Sequence, residues 1–177
     1  GNGGQIVRTT LAHENGTSRV REAAQILGVS DVIIVQGDEP LIDIKNIRYF
    51  ASKMAETTTS DVFCAVTQIM NDADLDDINV VKCCSTSSGR ILFMFRKTPF
   101  VHLPHTLIKK IQGVIGFKNE AVFHNPVTDH SIGLYESIEQ LVLLENGLSI
   151  SEIEFARSGP SVNTIAEYER MLALFDR

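Results

Sequence analysis

The chain has 177 residues, 44% of them hydrophobic, with 16 Lys and Arg against 22 Asp and Glu for a net charge of −6. That length suits one domain with its own core, and an acidic chain whose longest basic runs are Arg96-Lys97 and Lys109-Lys110 is not expected to bind duplex nucleic acid. No apolar run approaches the roughly 18 residues of a membrane span and no signal segment opens the chain, so a soluble, cytoplasmic protein is expected.

Residues 5–10 read as a short extended segment, followed by a turn whose Thr17 or Ser18 can cap a helix over 19–27 that stops at Gly28. Val20, Ala23, Ala24 and Leu27 give that helix one apolar face. Four Val and Ile residues in succession, Val32 to Val35, predict a strand covered on both faces, as in a parallel α/β sheet. Asp43 can cap a second helix with Ile44, Ile47, Phe50, Ala51 and Met54 as its core stripe.

Residues 62–69 are rich in strand formers, and Asn71-Asp72-Ala73-Asp74 reads as a turn or a short helix. Two further strands, 79–84 and 90–96, flank the Gly-ended polar loop 85–89, which is a hairpin signal. Residues 98–108, with Pro99 and Pro104, read as a surface loop, and 112–117 as another strand. The pattern over 131–146 predicts one long helix with Leu134, Ile138, Leu141 and Val142 inward, then a strand over 148–155 and a closing helix over 164–175. The fold class is α/β with a mixed sheet and an inserted antiparallel hairpin. Cys64, Cys83 and Cys84 are expected to be free thiols, because neighbours on a strand point to opposite faces and cannot pair with each other.

The strand at 32–35 ends in Gln36-Gly37-Asp38-Glu39-Pro40. Ligands bind at the carboxyl ends of strands in open α/β sheets, so two adjacent carboxylates there point to a hard cation such as Mg2+; a plain polar loop into the next helix is the other reading.

Four motifs together resemble the CMP-sugar cytidylyltransferases, above all the branch that activates 3-deoxy-manno-octulosonate (KDO). They are His13-x-x-Gly16-Thr17-x-Arg19, Val35-Gln36-Gly37-Asp38-Glu39-Pro40, Asn79-Val80-Val81-Lys82 and Glu139-Gln140-Leu141. The resemblance implies a Rossmann-like mixed sheet of the nucleotide-diphospho-sugar transferase type. It implies that CTP and a 2-keto sugar acid (KDO-like or nonulosonic) give CMP-sugar and pyrophosphate for cell-surface polysaccharide, with Mg2+ as cofactor and a homodimer in contact around 98–125.

Carried onto this sequence, Asp38 would bind the metal and Asn163 would stand where the family has a second metal-holding Asp. Arg96 would meet the sugar-acid carboxylate, and Glu139 and Gln140 the sugar hydroxyls. Gln36 would bond substrate beside the metal, while His13, Thr17 and Arg19 would lie near the nucleotide and sugar-acid pockets.

Phe95, Val142, Ser18 and Ile111 stand where the family has Ser, Arg, Glu and His. The family's opening βαβ unit with its Gly-, Arg- and Lys-bearing phosphate loop has no counterpart before Gln5. The chain is therefore expected to be a single domain over 1–177, either a fragment of an active enzyme or a shortened, non-catalytic homologue that binds sugar nucleotides or pairs with a full-length subunit.

Overall fold

The structure is a computed structural model that describes residues 3–10, 12–13, 15–124, 126, 129–157, 162 and 165–175. Its first helix, α1 (Gly16–Leu27), is capped by Asn15, whose side chain accepts from the Ser18 N–H while Ser18 Oγ faces back in a capping box, and Gly28 ends it at φ 65°. Then come β1 (Val32–Val35), α2 (Ile44–Glu56), β2 (Val62–Gln68), α3 (Ala73–Asp76), β3 (Lys82–Ser85), β4 (Ile91–Phe95) and β5 (Ile108–Phe117). Two short helices, α4 (Ile132–Tyr135) and α5 (Glu139–Glu145), precede β6 (Ile150–Glu154) and α6 (Ile165–Phe175).

The sheet has the order β4-β3-β5-β2-β6, with β1 also on β5. Only β2 and β6 run parallel; every other pair is antiparallel. The mixed sheet with its β3–β4 hairpin is therefore as expected, but β1 is not the parallel strand buried on both faces that its sequence predicts. It pairs with β5 alone, and Val35 is 42% exposed. The strand that is closed on both faces is β2, where Val62 to Val66 are fully buried. A run of β-branched residues reports strand preference, whereas edge or centre is decided by which partners arrive.

The long strand β5 organises the site. Its edge opposite β2 is shared end to end: β3 pairs with Ile108 to Lys110 and β1 with Val114 to Phe117. Between them, residues 111–113 face a fork, bridged through the backbone by Ile111 N–H to Val81 O at 2.9 Å and Gln36 N–H to Gly113 O at 2.8 Å. Across β5, β2 steps from Cys64 to Val66 while β5 steps from Ile115 to Ile111, a bulge at the same place. Bulges bend a strand and re-aim side chains, here beside the fork.

Apolar clusters cover both faces. One joins Ala24, Val62, Cys64, Ile115 and Leu141; the other joins Phe50, Met54, Phe63, Val114 and Phe155. Leu27, Ile44 and Ala51 from the predicted helix stripes remain exposed. Residues 5–10 form no strand, and the expected helix over 131–146 is two helices broken at Ser137, which has a left-handed φ of 53°. The break brings Gly133 so close to α5 that a Cβ there would lie 2.5 Å from the Val142 nitrogen. Cys64 and Cys83 are buried free thiols and Cys84 is half-buried, as expected, and burial pushes the Cys64 thiol up to about 12. No helix among the described residues is long and apolar enough to cross a membrane.

Candidate active site

The fork opens into a cavity of about 390 Å³. Its walls come from the end of β1 (Gln36, Asp38, Glu39), the segment before β3 (Asp74, Asp77, Asn79), the end of β4 (Arg96), the bulge of β5 (Lys110, Gln112, Gly113) and the start of α5 (Ser137, Glu139, Gln140). Six residues singled out in the sequence thus meet in one place: Gln36, Asp38, Glu39, Arg96, Glu139 and Gln140.

Glu39 is fastened into the fork, where its Oε1 accepts from the Gly113 N–H at 3.0 Å. Burial pushes its carboxyl above the ordinary value and Asp38 adds to that, while the Gly113 hydrogen bond and Lys110 pull it back. A side chain at position 113 would put its Cβ 2.6 Å from Glu39 Cγ and 3.1 Å from Gln36 Cβ. Glycine is needed here for close approach.

Asp38 differs from its neighbour. Its backbone carbonyl accepts from Val162 N–H at 2.9 Å, but its Oδ1 is buried and has no hydrogen-bond partner. A buried carboxylate oxygen without a donor is costly in a finished structure and is what a metal ligand looks like before its cation arrives. Among the described residues no group of three His, Cys, Asp or Glu could hold a metal, and Asn163 lies outside the described residues. Asp38 as a lone protein carboxylate fits magnesium, which keeps waters and takes substrate phosphates as further ligands.

Arg96 is engaged by the fold. Its guanidinium donates to the carbonyls of Glu136 (2.7 Å), Ile78 (2.8 Å) and Ser137 (2.9 Å), using three of its five N–H groups. Lys110 has a longer contact, 3.3 Å to Asp74 Oδ2. Gln112 donates to Thr67 Oγ1 at 2.9 Å. Five carboxylates line the cavity (Asp38, Glu39, Asp74, Asp77 and Glu139) against two cations, Arg96 and Lys110.

The α1 motif stands apart from the cavity lining. Thr17 reaches it through its backbone, whose N–H donates to Glu139 Oε1 at 3.2 Å. His13 Nε2 lies 2.7 Å from Glu22 Oε2, and Glu22 Oε1 also accepts from the Thr10 N–H and hydroxyl. Arg19 donates to Thr9 Oγ1 at 2.8 Å. These bonds tie Thr9, Thr10 and His13 to α1.

Asp74, Asp77, Lys110, Gln112 and Ser137 were not legible as site residues. Asp74 falls in a predicted turn, Gln112 at the start of a predicted strand and Ser137 inside a predicted helix, while Asp77 and Lys110 lie between predicted elements, and the pairing of one edge of β5 with two strands brings them together.

The sequence model of the Cytidylyltransferase family matches residues 2–152. This chain belongs to the cytidylyltransferase family. The chain is 30% identical to the 3-deoxy-manno-octulosonate cytidylyltransferase of Francisella tularensis, over 98% of this chain and 75% of that protein. It is 33% identical to the enzyme of the same name from Chlorobaculum tepidum, over 98% and 73%. Its structure matches that of a CMP:2-keto-3-deoxy-manno-octonic acid synthetase complexed with CTP, at a TM-score of 0.85 and 25% identity over 98% of this chain and 73% of the other. The inositol-1-phosphate CTP transferase of T. maritima shares the fold, at a TM-score of 0.57 and 13% identity.

The family's nucleotide-diphospho-sugar transferase fold is therefore the fold of this chain. Its departures from the family pattern have structural uses here: Ser18 completes the α1 capping box, Val142 is buried against Gly133, and Phe95 stacks on Phe93 with ring centroids 6.2 Å apart.

Proposed function

We propose that this cytidylyltransferase joins CTP to a 2-keto sugar acid of the KDO type. The sugar acid's anomeric oxygen forms a bond to the α-phosphorus of CTP, the bond to the bridging oxygen breaks, pyrophosphate leaves, and one proton is released. The observation that carries the reading is the orphaned Asp38 Oδ1 in a cavity with five carboxylates and two cations. Two anionic substrates enter so acidic a cavity favourably only with a dication between them.

Asp38 would hold that magnesium, which when bound neutralises phosphate charge and orients the reacting oxygens. Asn163 is proposed as a neutral oxygen ligand beside it. The wall of Arg96, Glu139 and Gln140 receives the sugar acid, with two guanidinium N–H groups left for its carboxylate. Gln36 bonds substrate next to Asp38, and Thr17, His13 and Arg19 support this side through their bonds to Glu139, Glu22 and Thr9. The product would serve cell-surface polysaccharide, including lipopolysaccharide.

A homodimer is part of the proposal. Its contact lies in the apolar groove of Leu92, Phe93, Phe100 and Leu107, within the region around 98–125 and the neighbouring hairpin. Light scattering tests it, and a monomer at working concentration overturns it.

Pyrophosphate release from CTP, Mg2+ and KDO by the purified protein, compared with Asp38→Ala, tests the activity. Release by the parent and loss in the variant is expected; equal release by both overturns Asp38's role. A second reading, a non-catalytic sugar-nucleotide binder, is favoured by the three carbonyls that already occupy Arg96 and by Val142 in the core. CTP binding without pyrophosphate release would select it.

A further inference from the structure

Lys82 closes the Asn79-Val80-Val81-Lys82 motif, yet it lies outside the cavity and has no part in the chemistry above. It is fully buried at 0% exposure at the start of β3, where lysine is seldom found. Its Nζ donates to two backbone carbonyls, Asp77 O and Arg96 O, each at 2.6 Å. The carboxylates of Asp77, Asp74 and Asp76 act on it as neighbouring charges.

Both carbonyls belong to the cavity wall. The Asp77 carbonyl also accepts from Val80 N–H and so closes the turn that presents Asn79. Arg96, whose carbonyl Lys82 holds, sends its guanidinium to Ile78, Glu136 and Ser137. Two cationic side chains, the buried Lys82 and the half-buried Arg96, thus tie five carbonyls from three segments remote in sequence, including the left-handed turn at Ser137 that leads into Glu139. An apolar side chain would fill the space of Lys82 but take the side-chain donor from the Arg96 carbonyl and leave the Asp77 carbonyl with the Val80 N–H alone.

We propose that Lys82 is a positioning residue that fixes the Arg96, Asn79 and Ser137 wall in one geometry for the sugar acid. The identity of that ligand rests on the cytidylyltransferase reading; the positioning itself does not.

The test uses the full chain as wild type, Lys82→Met and Lys82→Arg, with hydrogen exchange followed by mass spectrometry and with calorimetric titration of CTP and of KDO in Mg2+. In Lys82→Met, peptides covering 77–80 and 136–140 exchange about tenfold or more faster, as the loss of one charge-assisted bond implies, while those of β2 and β6 do not change. KDO affinity falls by about tenfold and CTP affinity stays within about twofold, because the two ligands do not share these partners. Lys82→Arg, which keeps donors but not the compact ammonium, gives a smaller effect of the same pattern.

Unchanged exchange in both segments overturns the proposal, as does an equal fall in CTP and KDO affinity. Should Lys82→Met not fold, Lys82→Arg decides by the same two readouts. A wild type that binds neither ligand overturns the cytidylyltransferase reading, and the exchange pattern still decides the role of Lys82.

Discussion

Replacing Asp38 with alanine separates a metal ligand from a structural acid, because the two roles predict opposite signs. The Asp38 Oδ1 is buried without a donor, and its charge raises the neighbouring Glu39. Leaving such an oxygen unsatisfied costs about 1–3 kcal/mol, and truncation to alanine removes it while keeping Cβ. Without ligands, Asp38→Ala should therefore be more stable than wild type by about 1–2 kcal/mol, or about 2–8 °C in Tm for a chain of this size. With Mg2+ and CTP at about 100 times the wild-type Kd, wild type gains about 2.7 kcal/mol and the variant gains almost none. The order of the two melting curves should then reverse. Thermal unfolding followed by circular dichroism, with and without Mg2+ and CTP, reads both effects. A variant destabilised by more than about 1 kcal/mol without ligand that keeps the wild-type shift with Mg2+ and CTP would refute the reasoning.

Gly113→Ala drives a methyl into Glu39 Cγ and Gln36 Cβ, so a loss of about 1–3 kcal/mol in urea unfolding is expected together with slower pyrophosphate release. An unchanged urea midpoint would mean that the fork has room to spare. Gly133→Ala meets backbone that cannot give way, at 2.5 Å from the Val142 nitrogen and 3.0 Å from the Ile138 oxygen, as well as Val142 Cγ2 at 2.8 Å, and should lower Tm by about 4 °C or more. A Tm equal to wild type counts against the close packing of α4 on α5. For pH, hydrogen bonds from Lys109 and Gln68 hold Glu154 below the ordinary carboxylate value of 4.5. Its contribution is present above 4.5 and is lost as pH falls through the lower folded value, so Glu154→Gln should flatten the acid limb of the stability–pH curve. Burial pulls Lys109 down, but Glu152 and Glu154 outweigh it and leave the ammonium above 10.5, so its contribution is complete below 10.5 and lost only as pH rises through the folded value. An acid limb identical to wild type in Glu154→Gln would show that this ion pair contributes nothing.

Much of the fold was open to reading because its signals are local. Asp43 does cap α2, Gly28 and Gly147 do follow helices with positive φ, and the polar loop 85–89 does join an antiparallel pair. The misreadings share one cause. Ser137 interrupts a run that is periodic on both sides, and the interruption is held by Arg96, forty-one residues away in the chain. In the same way Asn15 rather than Thr17 or Ser18 caps α1, because the chosen cap depends on a backbone angle that several neighbouring polar residues could adopt.

By itself the sequence determined most of the elements, the family resemblance and the strand-end carboxylate, since periodicity, turn chemistry and a contiguous motif lie within a few residues of one another. The tertiary structure decided that β1 is an edge strand and that two strands share one edge of β5. It also decided that the gap between them is the cavity, and that Arg96 and Lys82 are wall fasteners before they are anything else. Those facts depend on contacts such as Glu39 with Gly113 and Lys82 with Arg96, which form only when segments distant in the chain meet, and no local pattern encodes which of several open partners will arrive.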